Sequence, residues 1–330
     1  MRVVVLAGGI GGARFLRGVR EQLGGSGEIT AVVNTGDDVT LHGLRICPDL
    51  DSVMYTLGGG SDEERGWGRR DETFTVQEEL RAYGAEPTWF GLGDRDIATH
   101  LVRTRMLDAG YPLSAVTEAL CVRWRPGVRL LPMSDDRVET HVVVRRDADP
   151  ARPDPDDSDH NDGRTALHFQ EWWVRYHAKL PAEAFVPVGA EDATPGPGVL
   201  EGIAAADAVL FAPSNPVVSI GIVLSVPGIR QALRAAPGKV VGLSPIIGGA
   251  PVRGMADACL PAIGVPTSAE GVGRHYGARA DDGLLDGWLV DTRDAGATVP
   301  GVEVRAVPLL MSDVGATAAM AVAALELAGA

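Results

Sequence analysis

Short apolar runs followed by glycines recur along the chain and indicate parallel strands that turn into helices. Residues 2–7 (RVVVLA) show no alternation of apolar and polar positions, which is typical of a strand buried on both faces. A glycine-rich turn occupies residues 8–12, and an amphipathic stretch follows over 13–23. A second apolar run at 29–33 completes a strand–helix–strand unit, for which right-handed parallel pairing is expected.

The same pattern returns in the second half of the chain. Apolar runs there precede polar or glycine-bearing loops, and an alanine-rich helix closes the chain; the runs cover residues 208–212, 240–243, 285–290 and 302–307. The sequence therefore predicts an α/β protein with a Rossmann-like, doubly wound, mostly parallel sheet that carries helical and hairpin insertions. We expect a single domain over residues 1–330, with an insertion of helices and strands at about 50–176.

Two helical stretches are predicted near the insertion. Residues 49–57 follow a proline and precede three glycines, which is the usual punctuation of a short helix. Residues 94–124 predict two helices joined at Gly110-Tyr111-Pro112. A tightly joined helical pair also occurs in DNA-binding proteins, but a net charge of −14 is unsuited to a nucleic-acid backbone. Nucleic acid is therefore not an expected partner.

The strands of the insertion are less regular. Residues 128–131 and 138–144 predict a hairpin or two strands, and the aromatic-rich stretch 166–176 predicts a further strand. Residues 147–164 are rich in Pro and Asp and poor in apolar side chains, so we expect an exposed acidic loop there.

The composition also indicates the cellular compartment that we expect for the protein. Three widely spaced cysteines form neither a metal-binding pair nor a disulfide framework, which suits a reducing cytosol. The N-terminus lacks the apolar region of a signal peptide, and no stretch of 18 apolar residues predicts a membrane span. We expect a cytoplasmic protein with no membrane partner. An acidic protein of this kind must neutralise bound phosphates locally, through backbone N–H groups, arginines or a divalent metal.

The first glycine-rich turn is a candidate phosphate site. It lies between a predicted strand and helix, where backbone amides and the helix dipole favour an anion. It is not a P-loop, and the sixth position counted from Gly9 is Arg14 rather than the glycine of the dinucleotide fingerprint. Gly9, Gly11, Gly12 and Arg14 are thus candidate phosphate-binding residues. The alternative is a tight turn whose glycines serve only helix–sheet packing.

Paired aspartates follow the second predicted strand in the motif Asn34-Thr35-Gly36-Asp37-Asp38. Ligands of open α/β sheets bind beyond the carboxyl ends of the strands. Asp37 and Asp38 are therefore candidate catalytic residues and Mg²⁺ ligands, since Mg²⁺ prefers oxygen ligands and often touches substrate phosphates. An Asx-type turn is the alternative. Asp49 and Asp51 lie at the head of the next helix, where acids also serve simply to stabilise the first turn.

Two later strand-end loops are candidates for nucleotide binding. Residues 213–221 form a rigid, polar, proline-flanked loop with a possible helix start near its end, and residues 244–249 form a second loop rich in glycine. An ordinary βα turn is the alternative for the second loop. The candidate nucleotide- and phosphate-binding residues are Ser214, Asn215, Ser219, Ser244, Gly248, Gly249 and Arg253.

The motifs occur in a distinctive order along nearly the whole chain. They are LAGGIGGARFLRG (6–18), NTGDD (34–38), CPDLDSVMYTL (47–57), WFGLGDRD with ATH (89–100), HFQEWWV (168–174), PSNPVVSIG (213–221), SPIIGG (244–249) and LLMSD (309–313). In this order they resemble the 2-phospho-L-lactate transferase family of coenzyme F-420 biosynthesis, whose actinobacterial branch is described as a phosphoenolpyruvate transferase. Two positions differ from the common family pattern, Ala212 in place of a glycine and Arg253 in place of a lysine.

The resemblance implies a reaction and its partners. The donor is a guanosine diphosphate-linked three-carbon acid, the acceptor is the 8-hydroxy-5-deazaflavin riboside, and GMP leaves when the terminal ribityl hydroxyl attacks the distal phosphorus. Family members require Mg²⁺ and are typically homodimers. By resemblance Asp49 and Thr88 bind the deazaflavin, with Asp51 a second candidate, and the loops 213–221 and 244–249 face the guanosine. Catalytic roles fall to Asp37, Asp38 and Asp49, with Asp37 or Asp49 the candidate general base.

Three alternatives stay open at this point. No interpretable motif distinguishes an enolpyruvate donor from a lactate donor, although the excess of arginine over lysine favours an actinobacterial lineage and hence enolpyruvate. The second alternative is an enzyme of another class, dependent on a nucleotide sugar or a dinucleotide, that has only the binding crevice in common with the transferase family. A non-catalytic nucleotide-sensing protein of the same fold would bind nucleotide without turnover.

Overall fold

The computed structural model describes residues 1–145 and 163–330. Within these ranges the strands are β1 (Arg2–Ala7), β2 (Glu28–Val33), β3 (Val39–Leu41), β4 (Leu44–Ile46), β5 (Arg129–Pro132), β6 (Glu139–Arg145), β7 (Arg164–His168), β8 (Ala182–Val188), β9 (Ala208–Phe211), β10 (Lys239–Leu243), β11 (Ile246–Ile247), β12 (Ala250–Pro251), β13 (Gly287–Val290) and β14 (Glu303–Ala306). The α-helices are α1 (Gly9–Leu23), α2 (Pro48–Leu57), α3 (Thr75–Ala82), α4 (Asp94–Asp108), α5 (Leu113–Trp124), α6 (Val199–Ala204), α7 (Ile220–Val223), α8 (Ile229–Ala235), α9 (Ala256–Cys259), α10 (Ala269–Tyr276) and α11 (Val314–Ala328). Shorter helical turns are a π-helical one at Glu171–Arg175 and 3₁₀ turns at Leu260–Ile263, Arg279–Asp281 and Thr292–Asp294.

Seven parallel strands form the main sheet in the order β14-β13-β10-β9-β1-β2-β5. From β1 the chain adds strands on one side, through β2 to β5, and then continues on the other side from β9 to β14. The direction of winding therefore reverses between β1 and β9. This arrangement confirms the predicted Rossmann-like, doubly wound class, and it opens a crevice at the carboxyl ends of β1 and β9.

The central strand β1 is buried on both faces, as its continuous apolar run predicts. Val4 and Leu6 belong to an apolar cluster that also contains residues of α6, α8 and α10. Val3 and Val5 point the other way, into a cluster shared with α1, α2 and α11. Successive side chains of a strand alternate between faces, so a run without polar residues is what a sheet covered by helices on both sides requires.

A second, antiparallel sheet of three strands, in the order β7-β6-β8, packs beside the main one. Its residues Val142, Val144 and Leu167 lie in the same buried cluster as Val4 of β1. The stretches predicted at 128–131 and 138–144 are therefore two strands in different sheets rather than a hairpin. The predicted acidic loop at 147–164 lies outside the described residues except for its last two positions.

The predicted strand at 166–176 is wrong beyond His168, where the chain turns into the π-helical segment Glu171–Arg175. This turn carries the Trp172 side chain into the core, where its indole N–H donates to the carbonyl oxygen of Leu180 at 2.8 Å. Aromatic enrichment reflects burial as well as strand preference, so here it indicates the core position and not the strand. The predicted pair of helices over 94–124 is confirmed by α4 and α5.

Close packing of α1 against α11 gives a test of the fold. A Cβ added at Gly18 would lie 2.6 Å from the backbone of Thr317. We expect Gly18→Ala to lower the free energy of unfolding by about 1–3 kcal/mol, because the two helices must separate to admit the methyl group. Urea unfolding followed by circular dichroism measures this.

Gly296→Ala is the matched control, because a Cβ at that glycine would meet no atom within 4 Å. Equal stability changes in the two variants would contradict the close approach of α1 and α11.

Candidate active site

The glycine turn after β1 and the proline-flanked loop after β9 meet in the crevice. The Ser214 hydroxyl donates to the carbonyl oxygen of Gly8 at 2.7 Å and accepts from the amide of Gly8 at 3.1 Å. A Cβ at Gly11 would lie 3.0 Å from the carbonyl oxygen of Pro213, and one at Gly12 would lie 2.9 Å from Ser214 Oγ. Glycine at these positions therefore lets the two predicted phosphate and nucleotide loops form one wall.

The N-terminus of α1 is arranged as an anion site. Gly9, its first residue, has a φ of 61°, a conformation that disfavours residues with a side chain. The first turn of α1 carries no acidic residue of its own, so the helix dipole and the N–H groups that do not bind Asp49 are available to a phosphate. Ser219 directly precedes the short helix α7, as the sequence indicates, and lies against the same turn, since a Cβ at Gly8 would lie 2.6 Å from Ser219 Cβ.

Asp49, at the start of α2, lies directly against this turn. Its carboxylate accepts a hydrogen bond from the Asn34 side-chain amide at 3.0 Å and another from the backbone N–H of Gly9. The same amide group of Asn34 donates to the carbonyl oxygen of Val218 at 3.2 Å, and Asn34 Oδ1 accepts from Gly36 N at 2.9 Å. Asn34 therefore links the end of β2, the start of α2 and the loop after β9.

Asp37 and Asp49 form a buried pair of like charges. Both side chains are almost inaccessible, at 6% and 5% exposure. Burial, and then the charge of Asp49, raises the pKa of Asp37 well above its usual value, and burial raises the pKa of Asp49 to about 6. Asp37 Oδ1 has no hydrogen-bond partner. Two buried carboxylates with an unsatisfied oxygen are suited to a hard divalent cation such as Mg²⁺.

Asp38, the other predicted metal ligand, faces a different environment. Its side chain is completely buried, and Oδ2 lies 3.4 Å from Arg45 Nη2. Burial raises the pKa of Asp38 to about 7, although Arg45 and a hydrogen bond with Cys47 act in the opposite direction. The charge of Asp38 also raises the pKa of Asp37, but less than that of Asp49 does, and Asp38 Oδ1 has no hydrogen-bond partner among the described residues either.

The second sheet holds the loop that carries these aspartates. His168, the last residue of β7, places Nε2 3.1 Å from the carbonyl oxygen of Asp38, and the Gln170 side chain donates to the carbonyl oxygen of Asp37 at 3.2 Å. The Asp37–Asp38 backbone is therefore fixed from outside the main sheet. His168 and Gln170 lie in the aromatic-rich motif, but nothing in their spacing indicates this contact.

Asp51 belongs to a buried ionic network on the far side of α2. It is ion-paired with Arg103, whose Nη1 also lies 3.0 Å from His100 Nδ1. His100 Nε2 in turn lies 3.5 Å from Asp96 Oδ2. Oxygen and nitrogen atoms of Asp51, Asp96 and His100 are close enough to hold a metal ion, but the guanidinium of Arg103 already supplies positive charge there. The geometry favours a structural role for His100.

Three other predicted residues are anchored locally. The amide N–H of Thr88, in the segment between α3 and α4, donates to Glu86 Oε2 at 3.0 Å. Ser244 Oγ accepts from Ile246 N at 3.1 Å and donates to the Ile246 carbonyl at 2.8 Å, which closes its own loop. Asn215 Oδ1 accepts from Val217 N at 2.9 Å.

The predicted loop at 244–249 is a β-hairpin rather than an ordinary βα turn. Strands β11 and β12 pair antiparallel, and Gly248 and Gly249 form the two-residue turn between them. The amide of Gly248 is held by Asp294 Oδ2 at 2.8 Å. Arg253 lies beyond this hairpin and reaches residues 61–68, since a Cβ at Gly66 would lie 2.8 Å from Arg253 Nη1.

The fold and the crevice define an α/β protein in which the N-terminus of α1 lies beside a buried carboxylate pair. The family model described as 2-phospho-L-lactate transferase CofD matches residues 3–306, and the chain belongs to this family. The resemblance of the motifs is thus confirmed. None of the helices in residues 1–145 and 163–330 is long and apolar enough to span a membrane.

Curated relatives are similar to the chain over almost its full length. A phosphoenolpyruvate transferase from Thermobifida fusca (strain YX) is 66% identical, covering 99% of this chain and 98% of its own. One from Streptomyces griseus is 64% identical, with the same shares covered. Among solved structures, a Bacillus halodurans protein of the UPF0052 family aligns with a TM-score of 0.59 over 98% of this chain and 99% of its own, at 18% identity. That likeness supports the fold alone.

The raised pKa of Asp49 leads to a prediction about stability. Its carboxyl has a pKa of about 6 in the folded protein against 3.8 for the unperturbed group, so the folded state binds this proton more tightly. Stability is therefore lost as the pH rises from about 4 to 6, by about 2–3 kcal/mol for this group. In chelator, we expect Asp49→Asn to be more stable than the wild type at pH 7 and to show a flatter dependence on pH; urea unfolding at several pH values measures both.

Glu21→Gln, at an exposed position of α1, is the control and should track the wild type at every pH. The prediction is contradicted if the free energy of unfolding changes between pH 4 and pH 6 by the same amount in the wild type and in Asp49→Asn. In that case burial of the Asp49 carboxylate would not destabilise the folded protein.

Proposed function

We propose that this protein transfers a phosphoenolpyruvyl group from a guanosine diphosphate-linked donor to the ribityl hydroxyl of 8-hydroxy-5-deazaflavin riboside, releasing GMP. The observation that carries the proposal is the buried Asp37–Asp49 pair set against the N-terminus of α1. Phosphoryl transfer requires mainly positioning and charge neutralisation, and these groups are suited to both. Membership of the 2-phospho-L-lactate transferase family supports the reaction class, and the names of the Thermobifida and Streptomyces relatives support enolpyruvate as the acid.

The side chains have distinct tasks in this proposal. The first turn of α1, with Gly9, Gly11 and Gly12, binds the donor phosphates through the N–H groups that Asp49 does not occupy, and the loop with Ser214 and Ser219 forms the nucleotide wall. Asn34 orients the Asp49 carboxylate by donating a hydrogen bond to it. With a pKa near 6, Asp49 is mostly ionised at neutral pH and can accept the proton of the attacking ribityl hydroxyl. Thr88 and Asp51 remain predicted contacts of the deazaflavin.

Mg²⁺ fits the same place. Asp37 and Asp49 would hold it, because Asp37 Oδ1 is buried and unpartnered and each carboxylate raises the electrostatic energy of its neighbour. Held there, Mg²⁺ would supply positive charge near the bridging diphosphate oxygen, which leaves with GMP. Asp38 is the predicted ligand that the geometry favours less, since Arg45 faces it.

We further propose that the enzyme works in the cytoplasm as a homodimer. Three cysteines without disulfides support the reducing compartment. Exposed apolar side chains on and between α4 and α5 support a partner surface, namely those of Leu101, Val102, Tyr111 and Val122. Sedimentation of the purified chain distinguishes a dimer from a monomer.

The reaction itself is the first test. With Mg²⁺, deazaflavin riboside and the enolpyruvyl donor, we expect a phosphodiester product and GMP in equal amounts by mass spectrometry, with no product in the presence of a chelator. The lactyl donor should react more slowly. Product from the lactyl donor alone would reassign the acid, and nucleotide binding without turnover of either donor would make the protein a sensor and not an enzyme.

The metal ligands can be assigned by comparing neighbouring aspartates. We expect Asp37→Asn to raise the Mg²⁺ concentration for half-maximal activity at least roughly tenfold, because it removes an oxygen ligand and a charge. Asp38→Asn should shift it much less, since Asp38 faces Arg45. Initial rates over a Mg²⁺ titration measure both. If Asp38→Asn shifts the Mg²⁺ concentration for half-maximal activity as much as Asp37→Asn or more, the metal ligands are Asp37 and Asp38, as predicted from the sequence.

A further inference from the structure

A cavity lies beside the carboxylate pair and is not used by any step described so far. It is an open pocket with an empty volume of about 360 Å³, a figure that includes space open to solvent, and it is bounded by α1, α2 and residues 61–68. Its lining is mixed, with two guanidinium groups, the carboxylates of Asp62 and Glu63, hydroxyl groups and apolar side chains. The residues that matter are Ile10, Arg14, Arg17, Ser52, Thr56 and Trp67.

The cavity continues the active site. Ser52 follows Asp49 by three residues on α2 and Thr56 follows by seven, so the three lie along one face of the helix. On α1, Ile10 comes directly after Gly9, whose N–H binds Asp49. Since a helical turn rises about 5.4 Å, the cavity begins roughly one turn from the carboxylate pair.

Positive charge at this cavity exceeds its local compensation. Arg17 is paired with Glu63 at 2.5 Å, and Asp62 is paired with Arg65 at 2.6 Å. Arg14 and Arg253 have neither an ion pair nor a hydrogen bond in the part of the chain that the structure describes. The charge of Glu63 acts on Arg14 without forming an ion pair, so these two arginines are only partly compensated. Neighbouring arginines of this kind are unusual in a chain of net charge −14, and they indicate an anion site.

Two further observations support mutual proximity of these arginines. Burial, and then the charge of Arg253, lowers the pKa of Arg14. Arg253 also contacts residues 61–68, because a Cβ at Gly66 would lie 2.8 Å from its Nη1. An anion placed between Arg14 and Arg253 would relieve their repulsion.

We propose that Arg14, with Arg253, binds the carboxylate of the donor's three-carbon acid, which occupies this cavity while the distal phosphorus lies at the carboxylate pair. The inference rests on the proposed function and names a subsite of that site. A planar carboxylate matches the fork of a guanidinium. The three-carbon acid spans the distance from the phosphorus to the guanidinium of a side chain that begins one helical turn away. Ile10 and Trp67 provide apolar contacts for its methylene carbon, and the backbone N–H groups of α1 remain free for phosphate.

The test separates carboxylate binding from phosphate binding by pairing a variant with a substrate change. The variant is Arg14→Gln, and Arg123→Gln, at an exposed position of α5, is its matched control. The donors are the guanosine diphosphate enolpyruvyl ester and the guanosine diphosphate ethyl ester, which lacks the carboxylate. We expect Arg14→Gln to lower kcat/KM roughly 10- to 100-fold for the enolpyruvyl donor and less than about threefold for the ethyl ester.

Binding gives a readout that does not need turnover. In calorimetric titrations without the deazaflavin, the wild type should bind the enolpyruvyl donor more tightly than the ethyl ester. The Arg14→Gln variant should lose this preference. The wild type and the variant should bind GDP with equal affinity. Equal losses for both donors would assign Arg14 to the phosphates, and no loss for either would remove it from the site; each result overturns the proposal. A wild type that binds the enolpyruvyl donor preferentially but transfers nothing would refute the proposed reaction while leaving the subsite in place.

Discussion

The concentration of buried negative charge near the end of β2 is the constraint on which the rest of this site depends. Four aspartates in this region are less than 7% exposed, namely Asp37, Asp38, Asp49 and Asp51. A buried carboxylate is unfavourable unless it is paired or hydrogen-bonded. The chain compensates Asp38 with Arg45 and Asp51 with Arg103. Asp37 and Asp49 have no cationic partner in residues 1–145 and 163–330, and these two aspartates face the crevice. The uncompensated negative charge therefore lies where substrate and metal would bind.

Keeping two like charges in place requires support from several directions. Asn34 connects Asp49 to the loop after β9, and the second sheet fixes the neighbouring backbone through His168 and Gln170. The three-stranded sheet is therefore more than an appendage of the main one. It shares a core with β1 and so transmits the rigidity of the parallel sheet to a loop that would otherwise be free to move its carboxylates apart.

The sequence predicts the parts of this arrangement that depend on local pattern. The apolar runs and glycines predict β1, β9, β10 and the winding of the sheet, because strand burial and strand-end turns leave a periodic signal. Which aspartates meet is not local information: Asp37 and Asp38 are adjacent in the chain, yet they face different partners. The contact of Gln170 with the aspartate loop is not local information either, since it spans 133 positions. In the turn after His168, the aromatic residues that are buried in the core give the same sequence signal as a strand.

The division of charge along α1 and α2 accounts for how one crevice can hold a donor with several negative groups. In the proposed binding mode, phosphates meet backbone N–H groups at the start of α1, and the acid's carboxylate meets Arg14 one turn later. The carboxylate pair then lies between two positive regions and needs only one divalent cation to become neutral. A basic residue in place of Asp49 would neutralise Asp37 without a metal but would remove the group that we propose as acceptor of the proton of the attacking hydroxyl. The unfavourable burial of Asp49 is therefore the feature that chemistry at this position requires.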